Sequence, residues 1–100
     1  GRAQLAAGQP KAALATLEAA RTRDFGDARV LRDLGQAYAQ TGQTGMASVA
    51  VAERYALLGR LDDAGLHAER AMGLLSRGSV GWRRAEDVFI AYEQDKKRRR

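Results

Sequence analysis

Apolar residues step by three and four along the chain and nowhere alternate by two, which predicts helices and no strands. Over 10–21 the stripe is Ala13, Leu14, Leu17 and Ala20, and Pro10 sits where a helix can begin without needing its missing N–H. Residues 22–26, with Asp24 and Gly26, read as a turn, and Phe25 within it is expected to plug the space between successive hairpins. A second helix is predicted over 28–41, with Asp27 as its N-cap and Gly42 as its stop. The third, 45–58, carries Met46, Val49, Val51, Tyr55, Leu57 and Leu58 around most of its circumference, so it is expected to lie between neighbours. Gly59-Arg60 turns the chain into a fourth helix, 61–75, whose first turn holds Asp62 and Asp63, suited to the positive end of the helix dipole. After a loop at 76–79, a fifth helix at 80–95 lines up Trp82, Ala85, Val88, Phe89 and Tyr92, the dress of a helix that closes an array. The chain opens without Met inside a further helical stretch, Arg2 to Ala7, as a piece of a longer protein would.

The pattern also repeats. Gly8 and Gly42, and Ala13 and Ala47, are both 34 residues apart, the length of one helical hairpin. The fullest copy reads Leu31-x-x-Leu34-Gly35-x-x-Tyr38, Gly42, Ala47-x-x-x-Val51. A further copy, offset by half a period, reads Ser48-x-x-Val51-Ala52-x-x-Tyr55, Gly59, Ala64-x-x-x-Ala68, Ala71. Small residues at this spacing let helices approach, while the larger ones fill the gaps between them.

These residues resemble the tetratricopeptide (TPR) repeat, with Leu in place of the leading Trp and Val in place of the later Phe. The resemblance covers about residues 3–76 and implies an all-α, TPR-like helical-hairpin solenoid of about five helices with a C-terminal capping helix. A narrower stretch is carried by Leu34-Gly35-Gln36-Ala37-Tyr38, Ala52-Glu53-Arg54-Tyr55-Ala56-Leu57-Leu58-Gly59 and Arg77-Gly78-Ser79-Val80-Gly81-Trp82-Arg83-Arg84-Ala85-Glu86-Asp87. It is similar to the C-terminal TPR region of bacterial periplasmic M48-type zinc metallopeptidases. That family's metal-binding helix lies outside this chain, so the resemblance implies a non-catalytic accessory module, periplasmic, whose zinc belongs to the parent protein. Its implied partner is the parent's own protease domain or an outer-membrane assembly protein. The alternative is a free-standing or differently fused adaptor that binds a peptide tail, which leaves a cytoplasmic setting open.

Charge narrows the picture. The formal net charge is +5, from 17 basic and 12 acidic residues. Lys96, Lys97, Arg98, Arg99 and Arg100 supply that excess, so residues 1–95 form a neutral body and 96–100 a basic tail, expected to fray. No specific nucleic-acid face is therefore expected. The tail alone offers a salt-sensitive attraction to nucleic acid or an anionic membrane, which stands as a third reading. Cysteine is absent, and no apolar run reaches the length of a membrane span.

Catalytic chemistry has few candidates. His67 stands alone mid-helix, without the second His and adjacent Glu of a zinc-peptidase helix. The adjacent carboxylates Asp62-Asp63 and Glu86-Asp87 point about 100° apart on a helix and are poorly placed to share a reacting group. No enzyme activity, metal or cofactor is expected of these residues. What does read as functional is a stripe on the second helix. Arg29, Arg32, Gln36 and Gln40 step by three and four opposite Leu31, Leu34, Gly35 and Tyr38. In a hairpin solenoid this stripe would line the concave groove, where two guanidiniums and two amides suit a carboxylate or an extended protein backbone.

Overall fold

A computed structural model of the chain describes residues 10–24 and 26–99. The expected helix at Arg2–Ala7 and the plug at Phe25 lie outside the described residues. Five α-helices follow one another: α1 (Pro10–Arg23), α2 (Ala28–Gln40), α3 (Thr44–Leu57), α4 (Leu61–Leu74) and α5 (Val80–Arg98). No strand occurs among the described residues.

The boundaries have local causes. The Asp27 carboxylate accepts from the backbone N–H of Arg29, and the Ser79 hydroxyl accepts from that of Trp82, satisfying donors that the first turns of α2 and α5 leave open. After α2 and α3 the chain reverses through Gly42 and Gly59 at φ of 76° and 77°, in the left-handed region that side chains resist. The tight turns that follow are short enough to lay each helix against its predecessor.

Each helix packs on the next, and α3 also packs on α5. The helices therefore form two layers, α1, α3 and α5 in one and α2 and α4 in the other. Two clusters of buried side chains meet at α3. One joins Val49 and Ala52 to Ala64, Ala68 and Ala71 of α4 and Ala85 and Val88 of α5. The other joins Ala50 to Leu17 of α1 and Leu31, Leu34, Ala37 and Tyr38 of α2, and Met46 packs against both. The apolar circumference of α3 has the expected cause through Met46, Val49, Val51 and Tyr55, since helices crowd it on several sides, but Leu57 and Leu58 at its C-terminal end are exposed. Alanine is the commonest core residue, so the layers sit close: Gly65 of α4 lies so near the Tyr92 ring of α5 that a Cβ there would fall 2.3 Å from Tyr92 Cγ. Gly35 is also buried, yet a Cβ there would meet Val51 Cγ2 at an ordinary 3.6 Å. Phe89 and Tyr92 are taken up in packing, the former against the α3–α4–α5 cluster.

The chain's end differs from expectation. Residues 96–98 do not fray; they continue α5 to Arg98, and Arg99 then binds Asp62 of α4 at 2.7 Å and Asp95 at 3.1 Å. Cations in the last turn suit the negative end of the helix dipole, and Asp62 supplies a tertiary anchor that tail composition does not reveal. No helix of the described residues is long and apolar enough to cross a membrane.

Candidate functional site

The predicted stripe exists as a surface. Arg29, Arg32, Gln36 and Gln40 are all exposed on α2, opposite its buried Leu31, Leu34, Gly35 and Tyr38. The Arg29 side chain keeps 81% of its exposure and pairs with Asp27 at 3.3 Å; Arg32 keeps 45% and pairs with Asp33 at 3.4 Å. The side-chain and then the backbone hydrogen bond from Arg29 hold the Asp27 carboxyl below the usual carboxylate range. Both ion pairs are local to α2 and its cap. The hollow beside them is lined by Asp27, Arg29, Val30, Arg32 and Asp33, with no second helix among the described residues. Among the described residues the stripe is an exposed face of α2 whose hollow is lined by α2 and its cap alone.

The α1–α3–α5 layer holds a second constellation. Glu53 of α3 receives two guanidiniums at once. Arg21 of α1 donates to its two oxygens at 3.3 and 3.1 Å, and Arg84 of α5 donates to them at 3.2 and 2.7 Å. Arg84 also lies 3.7 Å from Glu18 of α1, whose carboxylate accepts from the Tyr38 hydroxyl of α2 at 2.9 Å. One carboxylate with two forked partners forms four charge-assisted hydrogen bonds, the strong kind. Through Arg84 and Glu53 one cluster of charges ties α5, α3 and α1 together. Beside it lies a pocket of about 240 Å³ lined by Arg21, Leu31, Glu53, Ala56 and Leu57.

Burial makes this cluster different from the surface pairs. The Arg84, Glu53 and Arg21 side chains keep only 14%, 16% and 22% of their exposure. Burial works against the Arg84 charge, but the hydrogen bond and charge of Glu53 outweigh it, and its pKa is raised. Tyr38 is pushed up to about 12, first by burial and then by its hydrogen bond to Glu18. The folded protein therefore holds the phenol proton more tightly than the unfolded chain does, whose phenol titrates near 10.0. The stability that this provides is complete below pH 10.0 and is lost as pH rises toward about 12. Urea midpoints should accordingly fall across that window in the native protein, and Tyr38→Phe should flatten the fall. Equal slopes for the two would show that Tyr38 is not the group responsible.

Sequence reading did not find this cluster, because Glu53 and Arg84 look like any polar positions on amphipathic helices. Nothing in a 3.6-residue period says which carboxylate will meet which guanidinium 31 or 32 residues away. His67 is half-buried and stacked on Tyr55 at 5.5 Å, with Arg60 over the same ring at 5.0 Å. No group of three His, Cys, Asp or Glu side chains among the described residues is arranged to hold a metal ion. No protein-family model matches the chain, and no curated protein matches it in sequence.

Proposed function

We propose that this chain is a non-catalytic protein-interaction module that presents the α2 stripe to an acidic or carboxylate-bearing segment of a partner protein. The observation that supports this most is the contrast between its two sets of arginines. Arg21 and Arg84 are consumed in binding the helices together, whereas Arg29 and Arg32 project from α2 and, among the described residues, make local pairs that a ligand can replace. Gln36 and Gln40 extend the same exposed face by two more turns, adding amides that can pair with an extended backbone. The residue resemblance described above supports a place beside a zinc metallopeptidase domain in the bacterial envelope, with that domain or an outer-membrane assembly protein as the partner. A peptide-binding adaptor in another fusion would use the same surface.

The competing surface is the end of α5, where Lys96, Lys97 and Arg98 are exposed. A test that separates them uses peptides selected from a library displayed with free C-termini. Replacing Arg29 and Arg32 together by Ala should weaken binding about tenfold or more, with an unchanged helical spectrum. Replacing Lys96, Lys97 and Arg98 by Gln, which spares the Arg99–Asp62 anchor, should alter it by no more than about twofold. The reverse outcome would move the function to a salt-sensitive electrostatic contact at the end of α5.

A further inference from the structure

The first helix is attached differently from the rest. Among its described side chains only Ala13 and Leu17 are buried, while Ala12, Ala15, Thr16 and Ala19 face solvent. Its apolar grip is thus one Leu and one Ala, helped by half-buried Leu14, on a cradle of Leu31, Leu34, Tyr38 and Ala50. Polar bonds supply the remainder. Arg21 reaches Glu53, and Glu18 reaches both Tyr38 and Arg84. The receptors of those bonds all belong to α2, α3 and α5, which are joined to one another by the larger apolar clusters.

We propose that α1 is a detachable helix latched by Glu53, and that the cradle beneath it is a docking site for an amphipathic helix of the same pattern. The occupant that the cradle fits is defined by what α1 shows it. It needs a small residue and a Leu four positions later for the α2–α3 floor. It needs a carboxylate next to that Leu for Tyr38 and Arg84, and an arginine three positions further for Glu53. Since Glu53 and Arg84 remain bound to each other when α1 leaves, the cradle keeps its shape and its charges while vacant. This site is separate from the α2 stripe and does not depend on it.

The test weakens α1 in place and offers a replacement in trans. In the full chain, Arg21→Glu sets two carboxylates against each other and leaves the cradle intact. Amides of residues 13–23 should then exchange hydrogen about tenfold faster or more, while those of α4 and α5 keep their protection. A labelled synthetic peptide spanning residues 10–23, with its Arg21, should bind the Arg21→Glu chain about tenfold more tightly than the native chain, where its own α1 competes. The same peptide bearing Arg21→Glu should bind neither. Arg21→Met, which removes the latch without adding repulsion, gives the same readouts should Arg21→Glu fail to fold. Unchanged protection of α1, or peptide binding that is equal for native and variant chains or absent from both, would overturn the proposal.

Discussion

Gly65→Ala is expected to lower stability by about 3 kcal/mol, although alanine is the better helix former by about 1 kcal/mol. The added methyl would stand 2.3 Å from Tyr92 Cγ and 2.5 and 2.7 Å from its neighbouring ring carbons, so the whole ring must move. Tyr92 cannot swing freely, because its helix is fixed on both sides of it, by Val88 in the core and by the Arg99–Asp62 ion pair. Gly73, in the same helix, is the matched control. It is exposed, and a Cβ there meets nothing within 4 Å, so Gly73→Ala should raise stability by about 0.5–1 kcal/mol. Opposite shifts of the urea midpoint in the two variants are the expected result. Shifts of the same sign would mean that α4 and α5 are not as closely packed as described.

Glu53→Ala should be nearly as damaging, at about 3 kcal/mol, for a different reason. It leaves the guanidiniums of Arg21 and Arg84 facing each other with little water around them, and with Glu18, 3.7 Å from Arg84, as a more distant anion. Their residual exposure keeps the cost at the lower end of what a buried pair loses on removal of one partner. The exposed Arg60–Asp63 pair gives the comparison: Asp63→Ala should cost well under about 1 kcal/mol, as surface pairs do. Replacing Arg21, Glu53 and Arg84 together by Met, Leu and Met should recover most of the loss, since the only carboxylate of the cluster left without a cation is Glu18, which is one-third exposed (33%) and keeps its Tyr38 hydrogen bond. Should Glu53→Ala and Asp63→Ala prove equally mild, the cluster is ornamental.

How much of this was legible beforehand depends on the range of the interaction. Five helices could be read because the signals are local: the Asp27 carboxylate, the glycines at 42 and 59, and apolar residues repeating every three or four positions. Predicted and observed helix boundaries mostly agree to within two residues. The largest difference is at the end of α5, where the anchor is Asp62, 37 residues away. The exposure of Arg29, Arg32, Gln36 and Gln40 was readable for the same reason, since a residue opposite Leu34 and Tyr38 must face outward. Whether that outward face would border a groove was not readable, because it depends on which layer α2 joins. The bond from Tyr38 to Glu18 and the convergence of Arg21 and Arg84 on Glu53 were equally hidden, because they are pairings between side chains that sequence spacing leaves undetermined.

The convergence of α1, α3 and α5 on one carboxylate bears on the order in which the chain folds and comes apart. Packing between successive helices closes only short loops, which can form quickly and anywhere along the chain. The Glu53 cluster is another matter, because its four hydrogen bonds need three alternate helices already docked before both guanidiniums can reach one carboxylate. Interactions made that late slow unfolding and leave the folding rate almost untouched. Glu53→Ala should therefore shorten the lifetime of the folded state while the rate of folding stays nearly the same.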